Sequence, residues 1–138
     1  MNELMLNNSI FENIKRIDND GNEYWFAREL MPLLEYSKWE NFHKVIKSAM
    51  LACETSNNKV SDHFPEFRKM VDIGSKTKRE TTDYRLSRYA CYLIVQNANP
   101  RKKSVAFGQT YFAVQTRKQE ISEREYSSLT EDEKRFYQ

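Results

Sequence analysis

The chain has 138 residues, which is enough for one compact domain with a hydrophobic core. Hydrophobic residues make up 39% and charged residues 30% of it, so the composition is that of a globular protein and excludes a disordered or fibrous chain. The net charge of +2 combines 22 Lys and Arg with 20 Asp and Glu, so only the distribution of charge can indicate a nucleic-acid partner.

The expected cellular setting follows from the cysteines and the apolar segments. Cys53 and Cys91 lie in apolar surroundings and form no paired motif, which favours a reducing compartment over a disulfide framework. The N-terminal residues have neither the basic region nor the apolar core of a signal peptide. No apolar stretch approaches the roughly 20 residues of a membrane span, so we expect a soluble, cytoplasmic protein without a membrane partner.

The first predicted element is a β-hairpin near the N-terminus. Asp20 and Gly21 suit the positive φ angles of a tight turn. The segment EYWFA that follows is rich in aromatic residues and predicts a strand. Residues 11–18 are therefore expected to pair with residues 22–26, although the isoleucines before the turn have the spacing of a helix.

Two helices are predicted next. ARELMPLLEYS predicts a short helix, in which Pro32 is tolerated only near the first turn. Ser37 and Glu40 have the spacing of a capping box that begins a second helix. The apolar residues of that second helix recur at helical spacing along one face: Trp39, Phe42, Val45, Ile46, Ala49, Met50 and Cys53. The pair has a helix–turn–helix shape, which alone does not identify DNA binding.

The second half of the chain is predicted to contain a strand, a basic loop, a second strand and two helices. Apolar residues before Gly74 and the segment TTDYRLS predict the two strands. Ser87 can cap a helix that Pro100 ends, because proline disfavours the helical conformation of the residue before it. A further helix is predicted over residues 102–121.

A second capping box, from Thr130 to Glu133, begins a helix of which only about two turns follow. We interpret residues 1–122 as one domain and residues 123–138 as the start of a truncated C-terminal helical segment. The predicted fold class is α+β, in which an N-terminal β-hairpin and short strands pack with four or five helices.

Positive charge is concentrated in the middle of the chain. Residues 84–119 contain seven cations and no acid, whereas residues 120–138 contain six acids and three cations. Unopposed Lys and Arg on one surface neutralise phosphates and release counterions, although ordinary helix-terminal and loop charges are the alternative explanation. The predicted nucleic-acid-binding residues are Lys76, Lys78, Arg79, Arg85, Arg101, Lys102, Lys103, Arg117 and Lys118.

Uncharged side chains lie among these cations. Tyr84, Tyr89 and Tyr111 offer rings that could stack on bases, and Gln109 offers hydrogen bonds. Arg88 either joins the basic surface or pairs with an acid beside the start of its helix.

No catalytic or metal site is predicted. His43 and His63 are the only histidines and lie twenty residues apart, so a hydrogen-bonded or exposed histidine is favoured over a metal ligand. The chain has no phosphate-binding glycine loop, nucleophile elbow or metalloprotease motif. We therefore expect neither an enzyme nor a cofactor.

Two long segments resemble known families. IGSKTKRETTDYRLSRYACYLIVQNANPRKKSVAFGQTYFAVQTRKQE resembles the DNA-damage-inducible protein D family of bacteria. WFARELMPLLEYSKWENFHKVIKSA resembles the opening of Bro-N-type domains, which occur in phage and viral regulators and antirepressors. The resemblance implies a Bro-N-like α+β fold and a DNA-associated role in the damage response, with action on the recombinase filament on single-stranded DNA. Asn99 departs from the aspartate that relatives often carry before Pro100, which puts in doubt any role of an acid there.

Three hypotheses follow. The first is a DNA-binding regulator of the bacterial DNA-damage (SOS) response, in which Lys76, Lys78 and Arg79 form a mobile basic loop that binds phosphates. It leaves open whether the DNA is single- or double-stranded and whether the chain forms a homo-oligomer. The second is a protein-interaction module, an antirepressor or recombinase modulator, that acts through the acidic C-terminal helix and an apolar groove. The third, a nuclease, lacks a cluster of metal ligands.

Overall fold

The computed structural model describes the backbone of residues 10–127 and the side chains of residues 10–114, 116, 117 and 121. This part of the chain contains six helices and four strands. In chain order they are α1 (residues 10–14), β1 (Arg16–Ile17), β2 (Glu23–Phe26), α2 (Ala27–Leu33), α3 (Trp39–Thr55), α4 (Val60–His63), β3 (Glu66–Gly74), β4 (Thr77–Leu86), α5 (Arg88–Asn97) and α6 (Lys103–Ser127). The predicted α+β class is confirmed, with six helices in place of four or five.

The four strands form one antiparallel sheet in the order β1-β2-β4-β3. Strand β2 meets β4 at only two residue pairs, Trp25 with Leu86 and Phe26 with Arg85. Strands β3 and β4 pair along almost their whole length, so most of this hairpin extends past β2. We name residues 68–82, the part of the hairpin beyond the shared sheet, the β-arm.

The helices pack against one face of the sheet and form the core with it. Trp25, Tyr84 and Leu86 point into this face and are almost fully buried. Helix α5 lies between α3 and α6 and contributes Ile94 and Val95, both fully buried. Gly108 of α6 lets these helices pack closely, since a Cβ there would lie 3.1 Å from Val95 Cγ1.

Local signals explain the start of α5 but not the start of α3. The Ser87 hydroxyl accepts a hydrogen bond from the Ala90 amide, as predicted for an N-cap. Helix α3 begins one residue later than its capping box predicts, with Lys38 at the N-cap and no side-chain hydrogen bond there. Pro32 lies in the last turn of α2 rather than the first, and the helix ends one residue later.

The N-terminal hairpin prediction is half right. Ile17 pairs with Glu23 around the predicted turn, and Gly21 has the positive φ of 83° that such a turn requires. Residues 11–14, predicted as strand, are helical. The reason is packing: Phe11 is fully buried and stacks on Tyr111 with ring centroids 5.3 Å apart.

The predicted basic loop is a tight turn. Strands β3 and β4 are joined by Ser75 and Lys76 alone, and Lys78 and Arg79 belong to β4. Lys78 lies opposite Asp72, and Arg79 lies opposite Val71. The prediction of a loop is therefore wrong for Lys78 and Arg79, which lie in a strand paired with β3, whereas Lys76 lies in the turn.

Helix α6 continues through the predicted domain boundary at residue 122 and is described to Ser127. That boundary stays a prediction, and the second capping box, Thr130 to Glu133, lies outside the described residues. None of the described helices combines the length and apolar character needed to cross a membrane.

Candidate nucleic-acid interface

The face of the sheet that points away from the helices carries three aromatic rings. Side chains alternate between the two faces of a strand, so Tyr24 and Phe26 lie opposite the buried Trp25. Phe67 of β3 lies on the same side, and all three rings are partly exposed. The Phe26 centroid is 5.5 Å from that of Tyr24 and 5.6 Å from that of Phe67. We name this surface the open face.

Two arginines stack on these rings. The Arg85 guanidinium lies 4.0 Å from the Tyr24 centroid, and the Arg16 guanidinium lies 4.8 Å from the Phe26 centroid. Arg16 also forms a hydrogen-bonded ion pair with Glu29, at 3.0 Å. Arg85 is exposed, and no acid of the described residues forms an ion pair with it. Its charge is therefore available to an external anion.

A buried carboxylate fixes the junction between the open face and the β-arm. Asp83 is fully buried and accepts hydrogen bonds from the backbone amides of Arg28, at 3.0 Å, and Tyr84, at 2.8 Å. Its other oxygen accepts from Lys69 Nζ at 2.9 Å. Because the Arg28 amide belongs to the first turn of α2, Asp83 joins that helix to both strands of the hairpin.

Arg28 reinforces the same junction. Its guanidinium donates to the Thr82 carbonyl and the Thr81 hydroxyl, each at 2.7 Å, and lies 3.9 Å from the Trp39 centroid. Burial lowers the pKa of Arg28, and the charge of Asp83 opposes this effect. Arg28 therefore serves the fold, since its guanidinium donates to a backbone carbonyl and a side-chain hydroxyl of β4.

The β-arm carries five of the molecule's cations. Arg68 pairs with Glu80 at 3.5 Å, and Lys69 pairs with Asp83. The other three, Lys76, Lys78 and Arg79, are exposed and form no ion pair with the described acids. The structure thus brings together on one ribbon the three cations that the sequence grouped as a loop.

The cations between α5 and α6 lie elsewhere. Helix α5 has ten residues, so it separates Arg101 from the end of β4 by roughly 15 Å. Lys102 donates from Nζ to the Glu35 carbonyl at 2.7 Å and lies 4.7 Å from the Tyr36 centroid. It therefore links the segment between α5 and α6 to the residues that follow α2. Arg101 and Lys103 are exposed, and Lys103 lies 5.8 Å from the Phe107 centroid.

The last two predicted cations belong to α6. Arg117 is exposed, and the side chain of Lys118 lies outside the described residues. Arg88, for which the sequence left two roles open, pairs with Glu23 in a partly buried position and faces an acid rather than the basic surface.

Most side chains that were predicted to contact bases are buried or form hydrogen bonds within the protein. Tyr84 and Tyr111 are 1% and 4% exposed, so the prediction that their rings could stack on bases is wrong. The Gln109 side-chain amide donates to the Val95 carbonyl at 2.9 Å. Tyr89 is partly exposed, and its hydroxyl accepts a hydrogen bond from the Asn58 amide at 3.1 Å. The exposed rings Tyr24, Phe26 and Phe67 were missed.

The two histidines form hydrogen bonds within the fold. His43 Nε2 lies 2.9 Å from the Tyr84 hydroxyl, and His63 Nδ1 lies 2.7 Å from the Ser87 hydroxyl, which also caps α5. Among the described residues, no group of three His, Cys, Asp or Glu side chains could hold a metal ion.

Both histidines make stability depend on pH. Burial lowers the pKa of His43, assisted by the charges of Lys47 and Arg28, and burial also lowers the pKa of His63. The unfolded chain then binds more protons than the folded chain, so we expect the free energy of unfolding to fall as pH decreases from 7.5 through about 6.5. Carboxylates contribute mainly below about pH 5.

Urea unfolding at pH 7.5 and 5.5 measures this effect. The variant His43→Gln should show a smaller pH-dependent loss than the unchanged protein, because one of the two histidines no longer titrates. An unchanged loss in the variant would assign the pH dependence to other groups.

Similarity of sequence identifies the class of protein. The BRO family, N-terminal domain, matches residues 13–113, which span the whole sheet and α2 to α5, and the chain belongs to this family. The chain is also 52% identical over 128 residues to DNA damage-inducible protein D of Escherichia coli (strain K12). The alignment covers 92% of this chain and 47% of that protein, so the chain spans about half the length of this curated relative. No solved structure matches the chain.

Proposed function

We propose that this chain is a DNA-binding regulator of a bacterial DNA-damage response and has no catalytic activity of its own. Its similarity to a protein named as DNA damage-inducible supports the link to damage. The observation that carries DNA binding is the β-arm, an ordered ribbon on which Lys76, Lys78 and Arg79 are exposed and unpaired with described acids.

The β-arm suits phosphate binding for two reasons. Its strands fix the spacing of the cations, so binding does not have to order a mobile loop. Its only acids are Asp72 and Glu80, and Glu80 already pairs with Arg68. Arg85 lies on the same side of β4 as Arg79 and extends that part of the surface onto the open face, whereas Lys78 points to the other side of the strand. Contacts from Arg101, Lys103, Arg117 and Lys118 remain part of the proposal as a second surface. Lys102 contributes least, because its ammonium is engaged by Glu35 and Tyr36.

Titrations of labelled single-stranded and duplex DNA test the proposal at 50 and 200 mM salt. We expect affinity to fall steeply with salt, because phosphate contacts release counterions. The triple variant Lys76→Ala, Lys78→Ala, Arg79→Ala should weaken binding to every sequence alike and lower the salt slope by about two to three.

A matched control removes the same charge from another surface. Lys38, Lys44 and Lys59 are exposed residues of the helical layer and its loops, so their triple alanine variant should bind almost as the unchanged protein does. Equal losses of DNA affinity in both triple variants would show that the effect depends on net charge and not on the β-arm. Absence of binding by the unchanged protein would refute DNA binding. Binding that does not depend on salt would refute phosphate contacts as its basis.

A protein-interaction module that does not contact DNA is the second candidate function. Val114 and Ile121 lie seven residues apart on α6, which places them on one side of the helix, and are 45% and 40% exposed. Such a stripe suits an apolar partner surface, and a repressor or a recombinase filament is the partner that this function would require. Capture of either protein that survives nuclease treatment and is lost in Val114→Ser, Ile121→Ser would favour it.

A further inference from the structure

The aromatic rings of the open face have no role in the core that explains their position. The core lies on the opposite side of the sheet, where Trp25, Tyr84 and Leu86 meet the helices. On the open face, Tyr24 and Phe26 of β2 and Phe67 of β3 form a row, and each ring remains partly exposed. A row of partly exposed rings on a sheet is suited to stacking on planar groups.

The charges beside these rings select the kind of planar group. Arg85 lies on Tyr24, and Arg16 lies on Phe26. Three acids lie near the rings: Asp83 is fully buried and pairs with Lys69, Glu29 pairs with Arg16, and the pKa of Asp18 is lowered by the hydrogen bond from the Asn22 amide and also by the charge of Arg85. Arg85 forms no ion pair with the described acids, so the aromatic surface presents an exposed cation that complements a chain of bases joined by phosphates.

The same face continues along the β-arm. Paired residues of antiparallel strands point to the same side, so Arg79 and Lys69 lie on the side that carries Arg85. Arg85 and Arg79 are six residues apart on β4, a distance of about 20 Å in a strand. A flexible strand could follow this track, with bases on the rings at one end and phosphates on Arg79 at the other.

A duplex does not fit this track equally well. Its bases are stacked and paired inside the helix, so the rings could not reach their faces. The bases of a single strand are free to stack on aromatic side chains and on arginine guanidinium planes.

We propose that the open face is a binding site for single-stranded nucleic acid. Bases stack on Phe67 and on the paired Arg85 and Tyr24, while Arg79 contacts the phosphates. This inference rests on the proposed DNA-binding function and specifies the form of nucleic acid that one surface takes.

The test compares a dT20 strand with a 20-base-pair duplex by fluorescence anisotropy. The variant Tyr24→Leu, Phe67→Leu removes the two rings on which bases are proposed to stack and keeps an apolar surface. We expect it to bind dT20 at least 10-fold more weakly, since stacking contributes substantially for each base, and to bind the duplex within 2-fold of the unchanged protein. The control Tyr92→Leu, which removes a partly exposed ring from α5, should leave dT20 binding within 2-fold.

A second measurement does not depend on folding of the variant. Photocrosslinking the unchanged protein to an iodouracil-substituted strand, followed by mass spectrometry, should place the crosslinks on Tyr24, Phe26 or Phe67. An rU20 strand in the same assay tells RNA from DNA, and either result is consistent with the stacking site.

The two proposals fail in different ways. If the unchanged protein binds neither strand nor duplex, the proposed function fails. If it binds DNA but the double variant keeps its affinity for dT20, or the crosslinks lie away from the three rings, the open face is not the single-strand site while DNA binding stands.

Discussion

Asp83→Asn is expected to lower the free energy of unfolding by about 3 kcal/mol, because it breaks a buried charged contact that joins α2 to both strands of the β3–β4 hairpin. One oxygen of Asp83 accepts from the Arg28 and Tyr84 amides, and the other accepts from Lys69. Asparagine keeps only one oxygen, so its NH₂ group must face either the two amides or the lysine ammonium. Each arrangement sets donors against donors inside the protein.

Urea unfolding followed by circular dichroism measures this loss, and a double-mutant cycle with Lys69→Met assigns it. We expect Lys69→Met alone to lower the free energy of unfolding as well, because it leaves the Asp83 carboxylate buried with one partner fewer. The double variant lacks the mismatch between amide and ammonium. Its loss in the free energy of unfolding should therefore be at least 1 kcal/mol smaller than the sum of the losses in the two single variants.

Another ion pair of the same hairpin provides the control. Arg68 and Glu80 lie 3.5 Å apart with side chains 70% and 55% exposed. Glu80→Gln should therefore cost less than about 1 kcal/mol. Losses of equal size in Asp83→Asn and Glu80→Gln would contradict the argument from burial.

The features that the sequence predicts correctly depend on a few neighbouring residues. Gly21 takes the positive φ that its turn requires, and Ser87 caps α5 through an amide three residues away. The apolar stripe of α3 also needs only its own periodicity, and Phe42, Ile46 and Ala49 are fully buried as it requires.

The features that the sequence could not provide depend on distant residues. Residues 11–14 are helical because Phe11 packs against Tyr111, one hundred positions along the chain. The buried position of Asp83 depends on the Arg28 amide, 55 residues before it. A local pattern holds no information about such partners, so it favoured a strand for the first and assigned no role to the second.

The candidate interface was predicted in part for the same reason. A count of unopposed charges along the sequence finds the cations of β4. It overlooks Arg16 and Lys69, whose charges are paired with Glu29 and Asp83 and whose place beside the rings is set by the fold. One signal for the rings was present: if EYWF is a strand, Tyr24 and Phe26 must lie opposite Trp25. Adding Phe67 to them requires the register across β4, which only the fold supplies.

Trp25→Phe is expected to lower the free energy of unfolding by about 3 kcal/mol, because it creates a cavity and leaves a buried carbonyl unsatisfied. Trp25 is fully buried, and its indole Nε1 donates to the Phe11 carbonyl at 3.0 Å. This bond ties α1 to the sheet, at the segment whose helical form the sequence did not predict. The ring also packs edge-on against Phe112 with centroids 5.3 Å apart.

Trp39→Phe is the matched control, since it removes the same ring from a half-buried position. A phenylalanine there could still stack on His43, so we expect a loss of about 1 kcal/mol or less. Hydrogen exchange separates the two contributions in Trp25→Phe: loss of the indole bond should expose the amides of α1 more than those of α5. A uniform rise in exchange over both helices would indicate that the cavity alone accounts for the loss, because only the hydrogen bond acts on α1 specifically.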